Sequence, residues 1–240
     1  MRVAPAEPIV LALDSAGSGC SVVVAAGETV LATGRCATAR GQAERLLPTV
    51  DAAVRKSGLS ALALDIVGAT IGPGSFTGIR VGLAAARGIA LATGARSDGV
   101  TSFEAVAAGL TRRVLDWGAD FLLVALESRR EDLYIQLFDH ASSPLGDPTA
   151  VMPGMLGETL SGLIGAAPLV VAGDAAPRAA NTLLPRSCTL VIEGSAPDAA
   201  GLLQAVLRRA GADEGRLRPL PLYLRPPDVT ISTAHQGAGP

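Results

Sequence analysis

The strongest constraint on this chain is a strand-to-helix junction crowded with glycine. Ile66 to Ile71 is apolar and partly β-branched, as a covered strand should be, and Ile79 to Thr93 has the composition of a helix. Between them lies Gly72-Pro73-Gly74-Ser75-Phe76-Thr77-Gly78. Its glycines permit a sharp turn and a close neighbour, Pro73 holds one φ angle, and Ser75 or Thr77 can cap the helix. A helix start with free N–H groups and nearby hydroxyls suits an anion. Gly72, Gly74, Ser75 and Thr77 are therefore candidate anion- or nucleotide-binding positions. Tight packing of helix on strand explains the same glycines without a ligand.

Spacing excludes one familiar phosphate loop and puts another one residue out of register. A P-loop places a lysine directly after its last glycine, whereas Ile79 follows Gly78 and Lys56 is the chain's only lysine. A dinucleotide fingerprint needs its third glycine at position 77, which is Thr77.

Upstream, Ile9 to Leu13, Cys20 to Ala25 and Thr29 to Cys36 read as a three-stranded meander. The first strand runs into Asp14-Ser15-Ala16-Gly17-Ser18-Gly19. An acid there, followed by small residues, suits phosphate or magnesium in a turn, so Asp14 and Ser15 join the candidate positions. Local turn hydrogen bonds are the alternative. From Ala43 to Ser57, Leu46, Leu47, Val50 and Val54 recur at helical spacing, with Gly58 as the stop. The helix after the glycine junction is rich in small residues, among them Gly82, Ala84, Ala85, Ala86 and Gly88. A second helix could approach it closely, and covering their own sheet would account for both helices equally well.

Asp98 to Thr101 is a short strand, and Thr101-Ser102-Phe103-Glu104 has capping-box spacing for a helix to about Leu110. Thr111 to Asp120 reads as a boundary. Strands at Phe121 to Leu126 and Leu133 to Phe138 flank a charged turn, and residues 141 to 157 read mostly as loop. A helix at Glu158 to Ile164, a strand at Leu169 to Ala172, a helix at Arg178 to Leu184, a strand at Thr189 to Ile192 and a helix at Asp198 to Ala210 follow. The expected organisation is a first lobe over 1–110, a second over 111–218 and a closing segment over 219–240, whose last ten residues are expected to be mobile.

Composition narrows the chemistry. With 49% hydrophobic residues and 3% aromatics, the core is built from Ala, Val, Leu and Ile. A net charge of −2 with interspersed signs gives no global attraction to nucleic acid or an anionic membrane. The apolar run from Ile9 is too short for a signal peptide, and Arg80 and Arg87 interrupt the longest candidate span. Cys20, Cys36 and Cys188 show no CxxC spacing and an odd count, which points to buried thiols in a reducing cytoplasm. His140 and His235 are isolated, so neither a paired-histidine metal site nor a base for Ser75 is available. Asp65, Glu127 and Asp174 have no spacing that demands magnesium. The pairs Arg112-Arg113, Arg129-Arg130 and Arg208-Arg209 read as solvated surface.

The run from Gly72 to Ala90 closely resembles the hallmark segment of the bacterial TsaB family, tRNA threonylcarbamoyladenosine biosynthesis proteins once grouped with glycoprotease-like peptidases. Ile9 to Val23, Ala43 to Pro48, Glu127 to Asp139 and Leu222 to Pro227 resemble further segments of that family, so the likeness covers nearly the whole chain. It implies a two-lobe actin-like, Hsp70-like α/β fold. It also implies a non-catalytic paralogue of TsaD, the subunit that transfers threonylcarbamoyl to the adenosine beside the anticodon of tRNAs reading ANN codons. Proteins of this family pair with TsaD through two first-lobe helices, here 43–57 and 79–93, and form homodimers without it. The implied interface residues are Leu46, Leu47, Val50, Val54, Val81, Ala85 and Ile89. Where TsaD-like proteins carry a metal-binding histidine pair, this chain has Gln42, Ala43, Glu44 and Arg45. The resemblance therefore implies no metal, no catalytic residue and no peptidase activity. ATP and magnesium are expected only at the level of the complex with TsaD and TsaE, for which tRNA is the substrate. A nucleotide-dependent actin-like enzyme using Asp14 and the Gly72 loop is the alternative.

Overall fold

The computed structural model describes residues 7–37, 42–183, 189–192, 196–210 and 217–225. Cys188, His235, Leu184, Pro226, Pro227 and the last ten residues, on which expectations were placed, lie outside the described residues. Two mixed five-stranded sheets carry the same topology. The strands β1 (Ile9–Asp14), β2 (Cys20–Ala26) and β3 (Thr29–Cys36) form an antiparallel meander, and β4 (Ile66–Gly72) and β5 (Arg96–Thr101) then add in parallel on the other side of β1. The resulting order is β3-β2-β1-β4-β5. β6 (Phe121–Glu127), β7 (Leu133–Asp139) and β8 (Thr149–Val151) repeat the meander, and β9 (Leu169–Ala172) and β10 (Thr189–Ile192) repeat the parallel addition. This duplicated lobe is the two-lobe actin-like architecture that the resemblance implies.

Period-two side-chain alternation divides each sheet between two cores. Leu11 and Leu13 point to the layer of α1 (Gln42–Lys56) and α2 (Phe76–Thr93), whereas Val10 and Ala12 point to α3 (Ser102–Asp116) and α6 (Ala199–Arg209). In the second lobe Leu123 and Ala125 face α4 (Leu156–Ile164) and α5 (Ala176–Leu183), while Leu122, Val124 and Leu126 face α3. α3 thus serves both sheets. Ala105 and Ala108 join the first lobe's inner core, and Phe103, Val106, Leu110 and Val114 join the second's.

Three expectations change here. The helix expected to end near Leu110 runs to Asp116, because Val114 is fully buried and Thr111 accepts from Arg208 and shares a 2.7 Å hydrogen bond with Ser142. α6, expected with the second half, packs on β1, β2 and β4 of the first sheet and against α3. Gly201 and Gly109 let those two helices meet; a Cβ on Gly201 would collide with the Ala105 carbonyl oxygen. The stretch read as loop over 141–157 also contains β8 and the start of α4.

Residues 217–225 strap the lobes together. The Gly99 amide on β5 donates to the Leu217 carbonyl, and the Leu222 amide donates to the Ile71 carbonyl at 2.8 Å. Tyr223 stacks beside Phe76 and accepts from Arg80, whose guanidinium lies 3.6 Å above the Phe76 ring. Arg225 then reaches Asp132 in the β6–β7 turn. Asp132 is only 2% exposed, its Oδ1 accepts from Ser128, and its Oδ2 accepts no hydrogen bond and is met by the Arg225 guanidinium. Removing one partner of a buried pair strands the other charge. Since Arg225 is itself about a third exposed, Arg225→Ala is expected to cost about 2 kcal/mol in urea unfolding. Adding Asp132→Asn should return most of that loss; equal destabilisation with and without it would refute the latch.

Candidate functional site

The glycine junction and the β1–β2 turn close on each other. Gly72 has φ +111° and precedes a cis bond to Pro73. Only glycine suits that backbone, and a Cβ there would also press on Ile79 and the Leu222 carbonyl. Ser75 is the N-cap of α2, its hydroxyl accepting from the Gly78 amide at 3.2 Å. Helix α2 therefore begins three residues earlier than composition suggests. The Ser75 amide donates to the Ala16 carbonyl at 2.7 Å, Ser15 Oγ donates to the Gly78 carbonyl at 2.8 Å, and Ser102 Oγ donates to the Pro73 carbonyl at 2.7 Å. A Cβ on Gly74 would strike the Ala16 carbonyl, and one on Gly82 would strike the Ser15 hydroxyl. Four of the six candidate anion positions, Asp14, Ser15, Gly74 and Ser75, are thus joined through the turn at Ala16, and Gly72 supplies the bend. Thr77 points outward from the first turn of α2. The hydroxyls and the Ser75 amide are spent on the chain's own carbonyls and amides, which is what packing requires and what a phosphate cradle would leave open.

Asp14 closes β1 inside this knot. Its Oδ1 accepts from Thr70 Oγ1 at 2.5 Å and from the Ala16 amide at 3.2 Å. Burial pushes its carboxyl up to about 6, against the lowering effect of those two hydrogen bonds, and Asp198 adds to the rise. A cavity of about 280 Å³ lies beside it, lined also by Cys20, Ser21, Arg35, Cys36 and Asp198. Asp198 caps α6, accepting from the Gly201 amide, and forms a 3.6 Å ion pair with Arg35. Among the described residues no group of three or more His, Cys, Asp or Glu is placed to hold a metal ion. No helix there is long and apolar enough to cross a membrane.

The second lobe repeats the junction in reduced form. Gly173 has φ +110° just after β9, much as Gly72 has +111° at the end of β4, and the Ala175 amide donates to the Ala125 carbonyl as that of Ser75 does to Ala16. Asp174 accepts from the Glu127 amide, and Glu127 is paired with Arg178 at 2.6 Å. These acids knit the β6–β7 turn to α5.

The seven interface candidates divide. Leu46 and Val50 are buried in the first lobe's own core, with Val54, Val81, Ala85 and Ile89 half-buried against it. The stripe on α1 is thus covered by its own sheet, which corrects the assignment of Leu46 and Val50 to an external contact. Leu47 does face out, at 54% exposure. The outer surfaces of these helices also carry Phe76 at 49% and Leu91 at 88%, neither of which sequence periodicity singled out. For Leu91 the sign in the sequence is an apolar residue out of phase with the buried positions Ile79, Leu83, Ala86 and Ala90, whereas Phe76 is in phase with them and left no such sign.

A family model described as TsaD, tRNA N6-adenosine threonylcarbamoyltransferase, matches residues 36–141. An uncharacterized protein of Mycobacterium tuberculosis is 34% identical over 226 residues, covering 92% of this chain and 93% of that protein. The tRNA threonylcarbamoyladenosine biosynthesis protein TsaB of Escherichia coli is 34% identical over 125 residues, 52% of each chain. The match thus spans about half of that protein, and it spans 57% of an uncharacterized Mycobacterium leprae protein that is 32% identical over 94% of this chain. Among solved structures, YeaZ from Pseudomonas aeruginosa has the same fold, with a TM-score of 0.75 and 23% identity over 90% of this chain and 100% of that one. The duplicated lobe, the glycine junction from Gly72 to Ala90 and these relatives agree, and the chain belongs to the TsaB family.

Proposed function

We propose that this protein is a non-catalytic subunit of the machinery that makes threonylcarbamoyladenosine in tRNA, and that it docks on TsaD through the outer surfaces of α1 and α2. The observation that carries the reading is the asymmetry of the first lobe. α3 and α6 occupy one face of its sheet, and α3 is covered in turn by the second sheet over most of its length, while α1 and α2 cover the other face and leave Leu47 and Leu91 exposed, with Phe76 half-exposed beside them. Exposed apolar side chains on adjoining helices suit a protein contact. The names of the relatives supply the partner and the pathway: TsaB for the E. coli protein, and TsaD for the family model. Homodimers would use the same surface when TsaD is absent. TsaE would join the assembly, with tRNA as substrate of the whole complex in the cytoplasm and any ATP and magnesium bound at that level.

The internally satisfied glycine junction favours this reading over a nucleotide-dependent enzyme built on Asp14 and the Gly72 loop. Calorimetry of the purified chain with magnesium ATP is expected to show no tight binding. The interface has its own test. Leu47→Asp combined with Leu91→Asp alters only exposed positions, so the circular dichroism spectrum and melting midpoint should hold while co-purification with TsaD is lost. Undiminished capture of TsaD by that folded variant would overturn the interface.

A further inference from the structure

Cys20 opens β2 and Cys36 closes β3, and the antiparallel register sets them directly opposite each other as the terminal pair of the ladder. Opposed residues of such a pair hold their Cβ atoms about 4.5–5.5 Å apart, and a disulfide spans about 3.5–4.5 Å. The approach needed is therefore small, and it falls at a strand end. Gly19 sits against the Cys36 carbonyl so closely that a Cβ there would collide with it, which draws the turn onto the end of β3. Both residues carry thiols, both are buried in one apolar cluster, and their side chains lie within hydrogen-bonding reach of each other. Both also line the cavity beside Ser21 and Arg35, so a small molecule can reach them without unfolding the lobe.

We propose that Cys20 and Cys36 form a dithiol modification site that small organic disulfides oxidise to a cross-strand disulfide. Cys36, at 8% exposure against 2% for Cys20, is the entry point. Its thiolate attacks one sulfur of RSSR, forming Cys36–S–SR; the departing RS⁻ takes up the proton that Cys36 released. Burial and the neighbouring Cys36 push the Cys20 thiol up, which makes Cys20 the poorer first nucleophile and suits it to the second step. There Cys20 loses its proton and attacks the Cys36 sulfur, and the second RS⁻ leaves and is protonated. Two thiols and one RSSR become one protein disulfide and two RSH, with two electrons passing to the small disulfide. The product closes the β2–β3 hairpin into a ring and ties the Gly17–Gly19 turn to the end of β3, just before α1.

The test uses the full chain carrying Cys188→Ser, so that only this pair remains, exposed to cystamine and then to iodoacetamide. The expected result is a mass lower by about 2 Da with no retained cysteamine, both cysteines closed to alkylation, reversal by dithiothreitol, and a melting midpoint raised by several degrees. Adding Cys20→Ser should instead trap one cysteamine on Cys36. Two thiols that stay open to alkylation after cystamine, or a stable cysteamine adduct on the Cys188→Ser protein, would overturn the proposal. The mass of the Cys188→Ser protein decides the matter even if a serine at position 20 prevents folding.

Discussion

Gly201→Val is expected to destabilise the protein by about 3 kcal/mol, which for a chain of this length lowers the melting midpoint by about 6–12 °C. The first carbon of the new side chain would meet the backbone carbonyl of Ala105 across the α3–α6 contact, and backbone of a buried helix has nowhere to go. Since α3 is packed on both sheets, the displacement reaches the inner core of each lobe. Near-UV circular dichroism and fluorescence of Trp117, at the end of α3, should lose their native signal in one transition with the far-UV signal. Gly109→Ala is the matched control. Its added carbon would sit 3.5 Å from the Gly201 Cα, an ordinary contact, and alanine favours a helix interior by about 1 kcal/mol over glycine. A Gly201→Val protein that melts with the parent would remove the close helix pair from the account of stability.

Asp14→Asn should do the opposite, and in a pH-dependent way. The folded carboxyl titrates near 6, against an ordinary value near 3.8, because burial penalises its charge. The folded state therefore binds the Asp14 proton more tightly than the unfolded chain does. Below about pH 4 both states hold it and Asp14 contributes no difference. As pH rises from about 4 to about 6 the unfolded chain releases the proton first and stability falls, by about 3 kcal/mol in all once both states are ionised. Asparagine keeps an acceptor for Thr70 and the Ala16 amide without the charge. Urea unfolding should show the variant ahead by about 2–3 kcal/mol at pH 7, with the difference shrinking towards zero at pH 4. A difference independent of pH, or a variant weaker at pH 7, would remove the buried charge as its cause.

What could be read from residue order was whatever a local pattern determines. The Thr101–Glu104 box is present in both directions, with the Glu104 side chain accepting from the Thr101 amide at 2.9 Å, because four consecutive residues are enough to make it. The first meander and the strands after it followed from strand-length apolar runs and turn residues, whereas the order in which those later strands pair did not. What escaped depends on distant partners. Periodicity marked the buried face of α1 correctly at Leu46 and Val50 but could not say that the sheet beneath, rather than another protein, covers it. The polar look of Thr111 to Asp120 suggested a boundary, and Arg208 and Ser142, far along the chain, help hold its first part, to Asp116, as helix. β8 is three residues long and exists because Leu133 to Ile135 offer it a ladder. Asp132, next to the charged turn, drew no notice in the sequence, and its partner Arg225 comes from the strap some ninety residues on.

The path of α6 carries a consequence for how the protein is made. The first sheet is the earliest to emerge during synthesis, yet its inner face is covered only in part, by α3, until residues 199–209 arrive, and the free side of β5 gains the Leu217 contact later still. The amino-terminal half is thus first translated and last completed. A nascent chain holding only residues up to β5 would present Val10, Ala12, Val23, Ala25 and Val100 to water while the second lobe is still being built. Such an intermediate is the kind that chaperones hold, and a ribosome-bound fragment ending before Asp198 should be captured by them far more readily than one extended past Arg225.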